Sequence, residues 1–215
     1  MEASHAGMRT AGVLDDFVVC VEQEDSQLVA RSREGDLATF NVIVERYQAQ
    51  VLSVAWRVVG TRASAEDIAQ ETFISAYRAI GKFRGGSLRA WLFRIASNLG
   101  VDLLRSSKRR PEDSLDQSLE NPAFQVASGD ETPEQAALRG ELGGEIQKAI
   151  LSLPDDQRVA LLLIDVQGLS YDEAAEATGP SVGTVKSRLS RARGKVRDIL
   201  VKRTELLPDK FRHIG

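Results

Sequence analysis

Apolar residues recur every three or four positions along two long parts of the chain, the spacing that places them on one face of an α-helix. The first helix is predicted to end at Gly60, and its stripe comprises Leu37, Phe40, Val44, Tyr47, Val51, Val54 and Val58. The next helix, over about 63–80, has an inner face made of Ile68, Thr72, Phe73, Ala76, Tyr77 and Ile80. A third, over about 88–107, is predicted to bury Leu88, Trp91, Leu92, Ile95, Leu99 and Leu103.

Residues 111–133 interrupt this helical pattern. They contain three prolines and many acids but no apolar periodicity, which predicts an exposed, flexible linker. Helical spacing resumes after it, and no stretch of the chain alternates as a strand does. The fold class predicted is all-α, with two small helical domains joined by an acidic flexible linker. The predicted segments are a flexible N-terminal extension (1–25), a first domain (26–110), the linker (111–133), a second domain (134–205) and a C-terminal tail (206–215).

The second domain ends in a helix–turn–helix. Ser170 and Glu173 have the spacing of a capping box, Gly179 and Pro180 predict a turn, and Ser181 is placed to cap the last helix. A short amphipathic helix, a tight turn and a basic second helix are what a reader of the major groove requires. Val185 and Leu189 are predicted to pack on the core. The residues on faces that could enter the groove are Thr184, Lys186, Ser187, Ser190 and Arg191.

The distribution of charge supports two nucleic-acid-binding blocks, although the whole chain has a net charge of −3. Residues 26–110 carry 14 basic and 7 acidic side chains, a net of +7, and residues 146–215 carry 12 and 9, a net of +3. Residues 1–25 have one basic and six acidic side chains, and 111–145 have one and nine. Basic blocks therefore alternate with acidic ones, and only the basic blocks suit phosphate binding.

Two polar faces in the first block are further candidates. A basic face on the helix at 88–107 combines Arg94, Asn98, Arg105 and Arg109, with Lys108 and Arg110 beside it. This face could follow a phosphate backbone, with Asn98 offering a donor and an acceptor to a base edge, or it could simply be solvated. The other face consists of Asp67, Gln70, Glu71 and Arg78. Composition leaves open whether it is solvated or docks a protein.

Several classes of function are not supported. No histidine accompanies the carboxylates and no glycine-rich phosphate loop is present, so we expect no catalytic site and no cofactor. Cys20 is the only cysteine, and with His5 and His213 it forms no plausible zinc cluster, so no metal is expected. No apolar run approaches the roughly 20 residues that span a bilayer, and no secretory signal is evident. These features predict a cytoplasmic protein without membrane insertion.

Three segments of the first block, DSQLVARSREGDLATFNVIVERY, AEDIAQETFISAYRAIGKFRG and RAWLFRIASNLGVDLLRSSKRR, resemble region 2 of the extracytoplasmic-function sigma factors of bacterial RNA polymerase. LPDDQRVALLLIDVQGLSYDEAAEATGPSVGTVKSRLSRARGKVR resembles their region 4. The resemblance implies a non-enzymatic specificity subunit that binds core RNA polymerase and promoter DNA. It also implies an anti-sigma factor as a partner.

The resemblance further implies roles for individual residues. The segment that binds the clamp helices of the largest polymerase subunit would contain Asp67, Ile68, Gln70, Glu71 and Phe73. Asn98 would line the pocket for a flipped base of the −10 element, and the adjacent strand would be held by Arg94, Arg105, Lys108 and Arg109. The −35 element would be read by Thr184, Lys186, Ser187, Arg188, Ser190 and Arg191.

Two other hypotheses remain at this stage. A stand-alone helix–turn–helix regulator would need only the last 50 or so residues to bind DNA. A pure interaction protein would use the first block for docking and leave its basic faces solvated. The first block argues against a simple regulator, because it carries its own basic stripe and polar face where a regulator needs a dimerisation or sensing module.

Overall fold

The computed structural model describes residues 24–109 and 133–202, and within these ranges every regular element is helical. This confirms the all-α prediction. The α-helices are α1 (24–33), α2 (Leu37–Val59), α3 (Arg62–Ala79), α4 (Leu88–Arg109), α5 (Pro133–Leu151), α6 (Asp155–Leu161), α7 (Tyr171–Thr178) and α8 (Val182–Leu200). A 3₁₀ turn, Ile80–Lys82, follows α3, and a π-helical segment, Leu162–Val166, continues α6. The predictions for the N-terminal extension, the linker and the C-terminal tail fall almost wholly outside the described residues.

The helix ends carry the signals that the sequence predicted. Gly60 ends α2 in the left-handed conformation, with φ of 85°, and its N–H donates to the carbonyl of Trp56. Ser170 and Glu173 form the complete capping box at the start of α7. Ser181 caps α8 by accepting a hydrogen bond from the N–H of Thr184. These polar ends fix where each helix begins and therefore which residues its exposed face presents.

The N-terminal half encloses a core between α2, α3 and α4. Ile43 on α2 and Phe93 on α4 are completely buried, and Phe40 contacts Tyr77 edge-on with ring centroids 5.0 Å apart. α1 is attached to α2 by polar contacts, since the Tyr47 hydroxyl donates to the buried carboxylate of Asp25. The N-terminal half is therefore stabilised by an apolar core and by the hydrogen bond that attaches α1 to α2.

Two residues that the apolar pattern placed in the core lie outside it. Leu37 is 58% exposed because it is the first residue of α2, beyond the point where Phe40 meets α3. Leu103 is 41% exposed. α4 passes the end of α2 near Gly100, where a Cβ would lie 2.7 Å from a methyl group of Val58. Leu103 comes about one turn after this contact, toward the free end of α4.

In the C-terminal half, α8 packs against α5, α6 and α7. Val185 and Leu189 are each 1% exposed, as their spacing predicted. Arg158 on α6 is only 5% exposed, and its guanidinium donates to the carbonyls of Ile150, Leu151 and Leu153 where α5 ends. It therefore ties α6 to the preceding turn from inside the core.

The two halves also pack directly against each other. Arg158 Nη1 donates to the carbonyl of Val58 at 2.6 Å, and Gln147 Nε2 donates to the carbonyl of Trp56 at 3.4 Å. Leu151 lies so close to Gly60 that a Cβ there would be 2.8 Å from its Cδ1. The buried apolar residues consequently form one continuous cluster through both halves. None of the helices in the described ranges combines the length and the apolar content that crossing a bilayer requires.

Candidate nucleic-acid interface

The N-terminal turns of α8 present a polar surface. Lys186, Ser190 and Arg191 are exposed, and Thr184 and Ser187 are half-buried beside them. Because Val185 and Leu189 anchor the opposite face in the core, these side chains point away from the domain. This is the arrangement in which a helix can enter the major groove with its first turns against base edges.

The cations of α8 differ in what they contact. Arg193 is held by Asp165 through two hydrogen bonds, of 2.9 Å and 2.5 Å, and these bonds raise the pKa of its guanidinium. Arg188 forms an ion pair with Asp156 at 3.0 Å. Arg191 has no acid within ion-pair distance among the described residues. The sequence did not reveal this division, because the two acids belong to α6 and the π segment, more than 25 residues earlier.

Lys186 makes a different contact. Its Nζ lies 5.2 Å from the centre of the Tyr171 ring. Tyr171 is the first residue of α7, so this cation–π contact links the two helices of the helix–turn–helix. Lys186 remains exposed on this polar surface of α8.

The basic face predicted on α4 is present on the surface. Arg94, Asn98 and Arg105 are all exposed, while Leu92 and Phe93 on the other side are buried. The helix continues to Arg109, but the side chains of Lys108 and Arg109 lie outside the described part of the structure. The spacing therefore put the three described members on one solvent-facing side.

A cleft of about 200 Å³ adjoins the N-terminal end of this face. Its floor includes the rings of Phe83 and Trp91, whose centroids are 5.2 Å apart, and the cations at its rim are Lys82, Arg84 and Arg94. Aromatic rings flanked by cations are the usual means of binding single-stranded nucleic acid. The sequence placed Trp91 in the core; it is half-buried and lines this cleft. The sequence signal that could have indicated this cleft is the pair of aromatic residues on either side of Gly85 and Gly86.

The loop that forms this cleft is fixed by α1. Arg33 donates from Nε to the carbonyl of Ile80 at 3.2 Å and from Nη2 to the carbonyl of Phe83. Gly85 and Gly86 follow with φ of 94° and 85°, a backbone conformation that favours glycine. Arg33 therefore acts as a positioning residue for the cleft, a role that its place on an ordinary amphipathic helix did not reveal.

The chain matches two family models, Sigma-70 region 2 over residues 43–110 and Sigma-70 region 4 over residues 143–196. It is 42% identical to the RNA polymerase sigma-H factor of Pseudomonas aeruginosa, covering 80% of this chain and 91% of that protein. It is also 42% identical to the ECF RNA polymerase sigma-E factor of Haemophilus influenzae, covering 79% and 91%. The chain belongs to the extracytoplasmic-function sigma factors. It is accordingly a factor for promoter-specific transcription initiation by RNA polymerase.

Solved structures agree with this family. CnrH, in complex with the cytosolic domain of CnrY, matches with a TM-score of 0.61 at 27% identity, over 82% of this sigma factor and 97% of CnrH. The sigma factor RpoE of Bartonella quintana, in complex with the anti-sigma factor NepR, matches with a TM-score of 0.59 at 31% identity, over 75% and 96%. The region 2 match falls on α2, α3 and α4, and the region 4 match falls on α5 to α8.

The predicted polymerase-docking set of the sigma factor divides into two layers. Asp67, Gln70 and Glu71 are exposed on α3. Ile68 and Phe73 are 5% and 8% exposed and belong to the core. Only the first three can contact a partner on this surface as it stands, and the other two support the helix from beneath.

A second cleft, of about 360 Å³, lies between the two halves of the sigma factor. Asn98 and Arg105 of α4 line one side, and Asp156, Val185 and Arg188 of the C-terminal half line the other. The faces predicted for the −10 and the −35 elements thus meet at a single cleft. The described residues contain no group of histidine, cysteine, aspartate and glutamate suited to holding a metal ion.

Proposed function

We propose that this sigma factor recognises its promoters with two separate surfaces and performs no bond-making chemistry of its own. The α4 face captures the melted −10 strand, and the first turns of α8 read the −35 element in the duplex. The observation that carries this proposal is the geometry of α8. A capped helix with two buried apolar anchors presents hydroxyl, amine and guanidinium groups on its opposite side.

At the −10 element, Asn98 holds a base extruded from the stack, and Arg94 and Arg105 hold the phosphates beside it. Extrusion costs a few kcal/mol, which contacts to the base edge and stacking must offset. The cleft at Phe83 and Trp91 supports this step because it offers stacking surface one turn from Arg94. Lys108 and Arg109 extend the strand-binding face by family resemblance alone.

At the −35 element, Thr184, Ser187 and Ser190 present hydroxyl groups to base edges, which serine and threonine can bond as donor or acceptor. Lys186 and Arg191 contact phosphates and bases. Arg188 also contacts DNA once its ion pair with Asp156 has broken. This ion pair is partly exposed, so breaking it costs little free energy.

Core polymerase binds through Asp67, Gln70 and Glu71 on α3, which face the clamp helices of the largest subunit. The sigma factor acts in the cytoplasm, where that polymerase works. An anti-sigma factor is its further partner, as NepR is for the related RpoE of Bartonella quintana.

A reconstitution tests the proposal. The purified chain is mixed with core polymerase and a library of promoter fragments, and specific transcript initiation is measured. We expect a stable complex and initiation from a defined subset of fragments. Failure to form any polymerase complex, with any co-purifying inhibitor removed, would overturn it.

Asn98→Ala tests the base pocket. The substitution is expected to relax base preference at one position of the −10 element and to leave polymerase binding unchanged, because the side chain is exposed and supports no core contact. Ser106→Ala, two turns later on α4 and also exposed, is the matched control. Promoter profiling of both variants decides: identical profiles for Asn98→Ala and the control would exclude the pocket assignment.

A further inference from the structure

The loop of residues 83–87, between the 3₁₀ turn and α4, is fixed at both ends. At its start, Phe83 is 8% exposed and its ring lies 5.2 Å from that of Trp91, centroid to centroid. At its end, Ser87 Oγ accepts a hydrogen bond from the N–H of Ala90 at 3.2 Å, which caps α4. Only residues 84–86 lie between these points, and all three are exposed. The course of this exposed segment therefore depends on how its two ends are oriented.

Arg33, the last residue of α1, orients the first end. Its Nε donates to the carbonyl of Ile80 at 3.2 Å, and its Nη2 donates to the carbonyl of Phe83. The Ile80 carbonyl also accepts a hydrogen bond from the N–H of Phe83 at 3.2 Å, so the guanidinium spans the 3₁₀ turn. Because the peptide unit is planar, holding the Phe83 carbonyl also fixes the N–H of Arg84 and the direction in which the loop begins.

α1 gives Arg33 a fixed base. Val29, one turn before Arg33, is 3% exposed and belongs to the apolar core. At the other end of α1, the Tyr47 hydroxyl donates to the buried carboxylate of Asp25. Arg33 is not among the residues that line the cleft of about 200 Å³. It therefore holds the loop from outside that cleft.

The loop supplies part of the cleft in which the melted strand is proposed to bind, since Phe83, Arg84 and Gly85 all line it. Hydrogen bonds to a base edge require a donor–acceptor distance of about 2.7–3.2 Å. A loop displaced by about 1 Å therefore loses hydrogen bonds to the preferred base but keeps its charge and its stacking surface. Such a displacement reduces discrimination between bases more than it reduces binding.

We propose that Arg33 sets the base preference at the −10 element from outside the DNA-binding surface, by fixing the course of the 83–87 loop. This inference rests on the proposed function in taking the cleft to be part of the −10 reader. It adds a positioning residue that determines specificity without contacting DNA. The base preference of region 2 is then encoded partly in α1, some 50 residues before the loop.

Arg33→Lys tests the role of the guanidinium, because lysine keeps the charge but lacks the fork that reaches two carbonyls at once. Arg31→Lys is the matched control. It makes the same change two residues earlier, where the exposed side chain bonds to Asp36 at 2.8 Å and a lysine retains that ion pair. Each protein is combined with core polymerase and a pool of promoter fragments randomised over the −10 element. The fragments that are bound and transcribed are then sequenced.

We expect the preference for the best base over the next best to fall about fivefold in Arg33→Lys. That factor is the low end of the discrimination that one well-placed pair of hydrogen bonds provides. Arg31→Lys should match the parent, and polymerase affinity should be the same for all three because the predicted docking residues lie on α3. A preference that survives in Arg33→Lys would overturn the inference.

Salt dependence separates positioning from a direct phosphate contact. The affinity of Arg33→Ala holoenzyme for a fluorescent single strand of the −10 element is measured over a range of salt concentrations. One lost phosphate contact on a single strand lowers the slope of log K against log salt by about 0.7. A positioning residue leaves the slope at the parent value. A lowered slope together with an unchanged base preference would mean that Arg33 binds phosphate directly, which contradicts the inference.

The loop itself is measurable in the free protein. Hydrogen exchange of the Phe83 N–H, followed by nuclear magnetic resonance, reports on the turn that Arg33 spans. We expect faster exchange in Arg33→Lys than in the parent or Arg31→Lys, with helix content unchanged by circular dichroism. Equal exchange rates in the three proteins would show that the guanidinium does not hold the loop.

Gly85→Ala gives a test that leaves Arg33 in place. Gly85 has φ of 94° and nothing within 4 Å of an added Cβ, so the substitution strains only the backbone of the loop. It should also weaken the base preference. A Gly85→Ala protein with the parent's preference would show that the course of the loop does not set specificity, even if the Arg33 variants failed to fold.

The same pool distinguishes this inference from the proposed function. A parent protein with no preference at the −10 element would refute the proposed function, and the inference with it. A parent preference that Arg33→Lys and Gly85→Ala leave intact would refute the inference alone.

Discussion

Asp36 shows how one side chain at a helix end couples local structure to pH. Its carboxylate accepts hydrogen bonds from the N–H and the hydroxyl of Thr39 and from Arg31. The bonds from Thr39, together with the Arg31 charge, lower the pKa of Asp36 from 3.8 to about 2. The charged form is therefore favoured by folding, and its contribution is complete above pH 3.8 and lost as the pH falls toward 2.

Asp36→Asn tests this dependence. The amide keeps an oxygen for the N–H of Thr39 but does not titrate, so the variant should lose less stability than the parent between pH 3.8 and about 2. Thermal midpoints followed by circular dichroism over that interval measure the difference. Parallel curves for the two proteins would mean that other carboxylates dominate the acid transition.

Arg191 and Arg193 illustrate how neighbours decide what a cation can do. Both lie on α8 and are exposed, but Arg193 is bound by Asp165 while Arg191 has no acid near it in the described structure. Arg191→Ala should weaken binding to −35 duplex and lower the slope of log K against log salt by about 0.9, the value for one lost phosphate contact. Arg193→Ala is the control and should change the slope less. Equal slopes for Arg191→Ala and the parent would remove Arg191 from the interface.

Arg158 marks a limit of sequence reasoning at this scale. A single arginine among apolar residues of a short helix is normally expected on the surface, because arginine is seldom fully buried. Here it is buried, and burial lowers its pKa. The carbonyls that receive its hydrogen bonds come from α5, its following turn and α2. Because these carbonyls come from three separate segments, the local spacing of residues cannot predict that Arg158 is buried.

At the scale of elements, two glycines that end helices in the left-handed conformation have different surroundings. Gly60 has φ of 85° and would place a Cβ 2.8 Å from Leu151, whereas Gly179 has φ of 92° and nothing within 4 Å of a Cβ. Gly179→Ala should cost about 1–2 kcal/mol, the backbone strain alone. Gly60→Ala should cost more, because Leu151 must also move. Urea unfolding of both variants compares them, and equal costs would show that Leu151 yields freely.

Elements were predictable where the determinants are local. Ser170, Glu173 and Ser181 specify their helix starts through side chains three residues away, so the turn and both helices of the DNA-binding module follow from short sequence windows. Leu37 and Leu103 were misplaced because an apolar stripe shows which face is buried but not where the partner helix ends. The cleft at Phe83 and the packing of α7 beside it depend on contacts between distant segments, and no spacing encodes them.

At the scale of the whole molecule, the sigma factor as described is closed. One apolar cluster runs through both halves, and residues of the two faces proposed to bind the −10 and −35 elements line one cleft. The −10 and −35 elements lie about 25 base pairs apart, which is about 85 Å of duplex at about 3.4 Å per base pair, so binding both requires a different arrangement. The acidic segment that joins the halves, residues 110–132, is 23 residues long and can span at most about 80 Å.

The opening on a promoter is measurable with spin labels at two exposed positions, introduced by Gln48→Cys and Lys195→Cys in a Cys20→Ser background. When core polymerase and a cognate promoter fragment are added, the distance between them should grow by some tens of ångströms, because region 4 moves along the duplex toward the −35 element. Polymerase with a fragment that lacks the −35 element is the control. A distance unchanged in the complete promoter complex would show that the closed form itself binds DNA.

The position of α7 late in the chain has a consequence during synthesis. α2, α3 and α4 contact one another, and all three are complete by residue 109, whereas α7 begins at Tyr171. At about 5–20 residues per second, the ribosome needs several seconds to make the intervening segment and α7. A nascent chain therefore presents the basic surface of region 2 before α7 can pack beside it. For those seconds, the cleft at Phe83 and Trp91 lacks the wall that Glu176 and Ala177 provide in the finished protein.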